Sequence, residues 1–223
     1  EHIENNVAPL TEEYFELNKG KEDRWTFHPR QLEILEETKS KAREAGLWNF
    51  FLPDNDTGEG LSNLDYAYIA AELGKSPLAS QSMNCSAPDT GNMEVLERVG
   101  TEAQKAQWLQ PLLDGEIRSA YAMTEPNVAS SDAKNISTTA VLEGDEWVLN
   151  GRKWMITNAS RADFIIFMVV TDPEAPVYKR CSMIIVEKGT AGMDIFRDIP
   201  TMHHPHCEFG AHGNHAEITL DNV

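Results

Sequence analysis

The hydrophobic period of this chain changes once, near Arg118, and the change calls for two differently built halves. Upstream, apolar residues recur at helical spacing. Pro29 to Gly46 carries Leu32, Leu35, Ala42 and Ala45 on one stripe, opens with proline and ends in glycine. PDNDTGEG (53–60) is a loop of turn formers. Ser62, with Asp65 three residues on, can cap a helix whose apolar stripe is Leu64, Ala67, Tyr68 and Ala71. Met83 to Val99 reads as one or two helices with Pro88 and Gly91 as a break, and Thr101 opens another that stops near Gly115. Downstream, the text alternates and favours β-branched and aromatic residues. Candidate strands are 119–123, 136–142, 146–149, 153–157, 163–170, 181–187, 193–199 and 216–220, with Glu143-Gly144-Asp145 as a hairpin turn. Short strands at this spacing suggest an antiparallel barrel or sandwich.

At 223 residues, either half can bury a core of its own. Acidic side chains outnumber basic ones 36 to 19, a formal net charge of −17, so nucleic acid is not an expected partner; its phosphate backbone needs a basic face. The acidity reads as solvated surface, and a phosphate-bearing ligand must be held by local donors. Cys85, Cys181 and Cys207 are widely spaced and odd in number, which argues for a reducing compartment over a disulfide framework. The longest apolar run, Phe164–Val170, is strand-sized. The acidic start holds no signal peptide; because it begins at Glu1 without methionine, a mitochondrial origin stays open.

Two segments carry chemistry. AYAMTEPNVASSD (120–132) places a Met-Thr-Glu-Pro turn between an apolar stretch and small hydroxylated residues. Such a strand end lets backbone N–H groups approach a phosphate or the polar edge of a flat heterocycle. GRKWMITNA (151–159) follows in the same order as the second flavin motif of the acyl-CoA dehydrogenase family, whose first motif the 120–132 segment resembles. The resemblance also covers TGNMEVLERVGTEAQKAQWLQPLLDGEI (90–117) and HGNHAEITLDNV (212–223), and is weakest in residues 1–25. NCSAPDTGN and TEPNVASSD look closest to the branch that includes family members ten and eleven. The family's fold implies an α+β multidomain chain: an N-terminal all-α helical domain (1–118), then an antiparallel β-barrel domain (119–223). The family's C-terminal helical bundle, which supplies the catalytic carboxylate, has no counterpart in this text, so no catalytic base is assigned.

Desaturating a thioester requires an acceptor for the β-hydrogen and its electron pair, and no side chain accepts a hydride reversibly. The sequence has no Gly-rich G-x-G-x-x-G nucleotide loop. On the resemblance the acceptor is FAD, lined by Tyr121, Ala122, Met123, Thr124, Ser130 and Ser131 from the first motif and by Met155, Ile156 and Thr157 from the second. Backbone groups near Met123 and Thr124 would meet the pyrimidine edge, and Ser130 and Ser131 the phosphates. Ser131 would also touch the acyl-CoA, although the loop to Asp132 is longer than the common family pattern and Ser130 and Ser131 could exchange roles. The plainer reading of the loop is a surface turn in which Asn127 and Ser130 satisfy local backbone groups. Thr157 matches the threonine near flavin N5, and Met155 stands where many members carry tryptophan. Strand alternation expects Met155 and Thr157 on one face and Trp154 on the other.

The implied function is an FAD-dependent acyl-CoA dehydrogenase, an oxidoreductase of β-oxidation and fatty acid metabolism. Its partners are an acyl-CoA substrate, an electron-transfer flavoprotein and other copies in a homodimer or homotetramer. It would sit in the cytoplasm if bacterial and the mitochondrial matrix if eukaryotic. A flavin oxidase or monooxygenase on the same fold, and a non-catalytic flavin or acyl-CoA binding module, remain alternatives. The stretch holding His203, His204, His206, Cys207, His212 and His215 fits no closed zinc spacing, so no metal site is assigned; a polar loop near the flavin or coenzyme A suits it better.

Overall fold

The computed structural model describes residues 1–19, 26–54, 56–130, 132–202 and 214–223. Within the described residues the chain divides into two compact units, one built from residues 1–116, the other from residues 117–202 and 214–223.

The first unit is helical. A π-helical turn, Ile3–Val7, runs into α1 (Ala8–Glu16), followed by α2 (Pro29–Glu44), α3 (Asn63–Leu73), α4 (Ala79–Ser82) and α5 (Asp89–Val99). α6 (Glu102–Gln104) continues through a π-helical segment, Lys105–Leu109, into α7 (Gln110–Leu113). The caps follow the sequence. Ser62 accepts from the Asp65 N–H, and Thr101 and Gln104 form a reciprocal capping box. Val7, Tyr14, Ile34, Leu35 and Leu78 form one buried cluster.

Two expected stripes shift. On α2 the buried side is Gln31, Ile34, Leu35, Thr38, Lys39 and Ala42, and Leu32 is half exposed. On α3 only Leu73 is buried; Leu64 and Tyr68 are 68% and 72% exposed, so the predicted stripe finds no cover within the described residues of this unit. Gly91 does not break a helix, because the interruption falls at 83–88 and α5 starts directly after Pro88. The loop after α7 is held by side chains from α2 and from two asparagines. Lys39 donates to the Gly115 carbonyl (2.9 Å), and Asn84, in a left-handed conformation, donates to Asn49 Oδ1 and to the Leu112 carbonyl. These donors cap carbonyls that a helix end leaves without partners.

The second unit is a seven-stranded sheet of β1 (Ser119–Ala122), β2 (Thr139–Glu143), β3 (Glu146–Thr157), β4 (Phe164–Val170), β5 (Cys181–Glu187), β6 (Met193–Asp198) and β7 (His215–Leu220). The order is β1-β4-β2-β3-β7-β6, with β5 on β4. Most pairs are antiparallel, as expected; β1 runs parallel to β4, and β2 meets β4 in parallel at Thr139↔Val170. β2 and β3 form the predicted hairpin, with Gly144 at φ 65°. The run FIIFMVV is buried along nearly its whole length, as a strand covered on both faces requires.

The stretches 146–149 and 153–157, expected as two strands, are one. β3 pairs with β2 through Asn150 and with β7 from Gly151 onward, so the strand turns a corner where the partner changes. Gly151 stands at that corner with φ 153°, and a Cβ there would come within 2.6 Å of Thr138 Oγ1. Only glycine fits both the backbone and the gap.

Candidate functional site

The two motifs meet at the middle of β3. Pairing with β7 runs in step from Gly151 to Lys153, then resumes at Ile156 with one extra residue on β3. This β-bulge takes Trp154 and Met155 off the ladder. Thr124, just past the end of β1, supplies the bonds the bulge gives up. The Trp154 N–H donates to the Thr124 carbonyl at 3.0 Å, and Thr124 Oγ1 donates to the Trp154 carbonyl at 2.5 Å. Met155 takes the left-handed conformation, φ 56°, uncommon for a residue with a Cβ, and its side chain is 37% exposed. The simple alternation expected for Trp154, Met155 and Thr157 therefore does not run through: Lys153 and Ile156, three residues apart, are both buried.

Beneath the bulge lies a buried ion pair. Lys153 Nζ donates to Glu125 Oε1 (2.9 Å) and to the carbonyls of Met123 (2.9 Å) and Met168 (2.7 Å). That uses all three ammonium hydrogens. Glu125 also accepts from the backbone N–H groups of Ser137 and Thr138, both at 2.9 Å, and from the Ser137 hydroxyl. Burial pushes the Glu125 carboxyl up, but donors from Ser137, Thr138 and Lys153 outweigh it and hold it at about 2. Burial likewise lowers the Lys153 ammonium, against the Glu125 bond. The pair fixes the 123–125 turn against β3; in the sequence each partner is one of two like charges in its motif, Glu125 with Asp132 and Lys153 with Arg152.

The candidate residues separate by what they can present. Ala122 and Ile156 are buried in the core, so only their backbone is on offer. Tyr121 is half-buried and its hydroxyl reaches Met168 Sδ at 3.5 Å. Met123 and Thr124 are half-buried at the strand end. Ser130 is turned inward: its hydroxyl accepts from the Glu125 N–H and contacts the Glu125 carbonyl, the local loop-holding role. Ser131 lies outside the described residues, as do His203, His204, His206, Cys207 and His212. Thr157 Oγ1 sits 2.9 Å from His215 Nδ1, a contact no sequence motif announced. Among the described residues, no group of three or more His, Cys, Asp or Glu side chains is placed to hold a metal ion.

A cavity of about 240 Å³ opens beside the Glu125 network, lined by Lys134, Ser137, Thr139, Val170, Arg180 and Cys181 among others. Lys134 is paired with Asp132 at 3.0 Å. The arrangement offers a ligand two things: a rigid strand end with small side chains, and a cationic cleft in an acidic chain.

Comparison with known proteins gives this geometry a family. The profile for the N-terminal domain of acyl-CoA dehydrogenases matches residues 3–116, and that for the middle domain matches residues 120–223. FadE2 of Mycobacterium tuberculosis, named as a probable acyl-CoA dehydrogenase, is 49% identical over 186 residues, covering 80% of this chain and 45% of its own. Acyl-CoA dehydrogenase family member 10 of Mus musculus is 42% identical over 231 residues, 99% of this chain and 20% of that protein. A Mycobacterium abscessus structure, assigned provisionally as an acyl-CoA dehydrogenase, superposes with a TM-score of 0.90 at 45% identity, over 100% of this chain and 55% of its own. The chain thus spans about half or less of each relative's length. From its paired motifs, its two domains and these relatives together, the chain belongs to the acyl-CoA dehydrogenase family.

Proposed function

We propose that the protein containing this chain is an FAD-dependent acyl-CoA dehydrogenase and that residues 120–159 form the protein side of its flavin site. The observation that carries this reading is the Thr124–Trp154 exchange over the Glu125–Lys153 pair, which locks both motifs into one rigid edge. The donor set suits a flavin. Backbone groups at 123–124 lie at a strand end, Thr157 brings a hydroxyl, and the exposed Met155 thioether can pack on an aromatic face. FAD, when bound, supplies the acceptor for the β-hydrogen and its electron pair. The chain's own groups hold and orient: amide donors near Thr124 stabilise negative charge on the ring edge, and Thr157 offers a hydrogen bond beside it. Acyl-CoA is the proposed substrate, with the cleft at Lys134 and Arg180 available to its phosphates. An electron-transfer flavoprotein is the proposed electron acceptor, and a homodimer or homotetramer the proposed assembly. The α-proton would go to a carboxylate outside these residues, as in the family pattern.

Met155 favours one alternative. A thioether with 37% exposure shields less ring than an indole, which suits an enzyme that admits oxygen. The test is spectroscopic. Full-length protein should purify yellow, or take up FAD on reconstitution, and should bleach anaerobically with some member of an acyl-CoA panel. Rapid reoxidation by air would favour the oxidase reading. A colourless protein that takes up no FAD would remove both.

A further inference from the structure

We propose that His215 is a positioning residue for Thr157, and through it for the ligand edge that Thr157 faces. The proposal rests on the flavin reading above and extends it to a residue outside both motifs. Thr157 ends β3, His215 begins β7, and the two are direct partners in the antiparallel register. The His215 backbone is pinned from two sides. Its carbonyl accepts from the Ile199 N–H at 2.7 Å, while the adjacent Asn214 carbonyl accepts from the Asn158 N–H at 2.9 Å. From that anchor the ring places Nδ1 2.9 Å from Thr157 Oγ1.

The consequence follows from proton counting. A threonine hydroxyl has one hydrogen to give and two lone pairs to offer. A protonated Nδ1 donates to Oγ1 and frees the threonine hydrogen to point at a ligand acceptor. A bare Nδ1 takes that hydrogen itself and leaves Oγ1 with a lone pair for a ligand donor. A ring nitrogen that gains a hydrogen during turnover changes from acceptor to donor. Thr157 can serve both forms because His215 can fill either complementary role; an alkyl or phenyl neighbour can fill neither. Positioning is the proper word, since His215 acts through Thr157.

Three variants of the full-length protein test this: His215→Phe, which keeps an aromatic ring, His215→Gln, which keeps a side-chain donor and acceptor, and Thr157→Val. FAD affinity, flavin midpoint potential, anaerobic reduction rate and acyl-CoA KM are measured for each. H215F should slow flavin reduction about 10- to 100-fold, less than outright loss of a hydrogen bond to developing charge because Thr157 itself remains, with KM moved less than about threefold. Its midpoint potential should fall. H215Q should recover most of both. H215F and T157V should be non-additive, because they break the same bond. In the apo-protein, the Nδ1 nitrogen resonance of His215 should shift when Thr157 becomes valine, a readout independent of activity. Wild-type potential and rate in a folded H215F protein, or full additivity with T157V, would overturn the proposal while leaving the flavin reading intact. A wild-type protein that takes up no FAD would remove that reading and the proposal with it.

Discussion

Lys153 and Glu125 place two charges where the sheet leaves no water for them, and every hydrogen-bonding position on the ammonium is filled. A buried pair of this kind is weak evidence for net stability, since two desolvated ions can cost as much as their attraction returns; removing one partner is another matter. Lys153→Met should destabilise the middle domain by about 3–5 kcal/mol in denaturant titrations, because it strands a buried carboxylate. Lys153→Met combined with Glu125→Gln should be less damaging than the sum of the two singles. Acid makes a separate test. The Glu125 carboxyl falls from 4.5 to about 2 on folding, so its contribution is complete above 4.5 and is lost as pH drops toward 2. Glu125→Gln should flatten the stability–pH curve between those limits; an unchanged slope in acid unfolding would place the ionised group elsewhere.

At the scale of elements, the strands, the hairpin turn at Gly144 and the caps at Ser62 and Thr101 were legible in the text because each is set by residues a few positions apart. β3 was not, and the reason is local. Asn150-Gly151 looks like punctuation, yet Gly151 is where one strand changes partners and bends. A turn former and a corner former are the same residue, and only the partner strands distinguish them. The bulge at Trp154–Met155 was hidden for a similar reason, since it depends on Thr124, thirty positions upstream, to take up the freed backbone bonds. Ser130 reads both as a ligand contact and as a local backbone partner because its type suits either; its hydroxyl accepts from the Glu125 N–H, the local role. Gly151→Ala should cost about 1–3 kcal/mol through overpacking against Thr138, beyond any backbone strain. Melting within error of the wild type would mean that the corner has slack the structure does not show.

At the scale of the whole molecule, the question is whether residues 1–223 hold enough to run the chemistry, and the carboxylates decide it. Abstracting an α-proton needs a base within hydrogen-bond reach and with a free lone pair. Three acids fixed in the described β unit near the two motifs already have partners. Glu125 is buried, ionised and saturated by Ser137, Thr138 and Lys153. Glu217 is fully buried between Arg152 and Arg197. Asp132 is paired with Lys134, whose bond holds its carboxyl below the usual range. A carboxylate held that low is a poor proton acceptor near neutral pH, where an effective base has a pKa close to the working pH. The chain also spans 55% of the Mycobacterium abscessus protein it superposes on. We therefore expect a protein made of residues 1–223 alone to show no acyl-CoA-dependent bleaching of added FAD under anaerobic conditions, while the full-length enzyme bleaches readily. If bleaching by the 223-residue protein approaches the full-length rate, a base lies among these residues. Glu125→Gln and Asp132→Asn then become the first substitutions to make, because they ask directly whether either pairing opens during turnover.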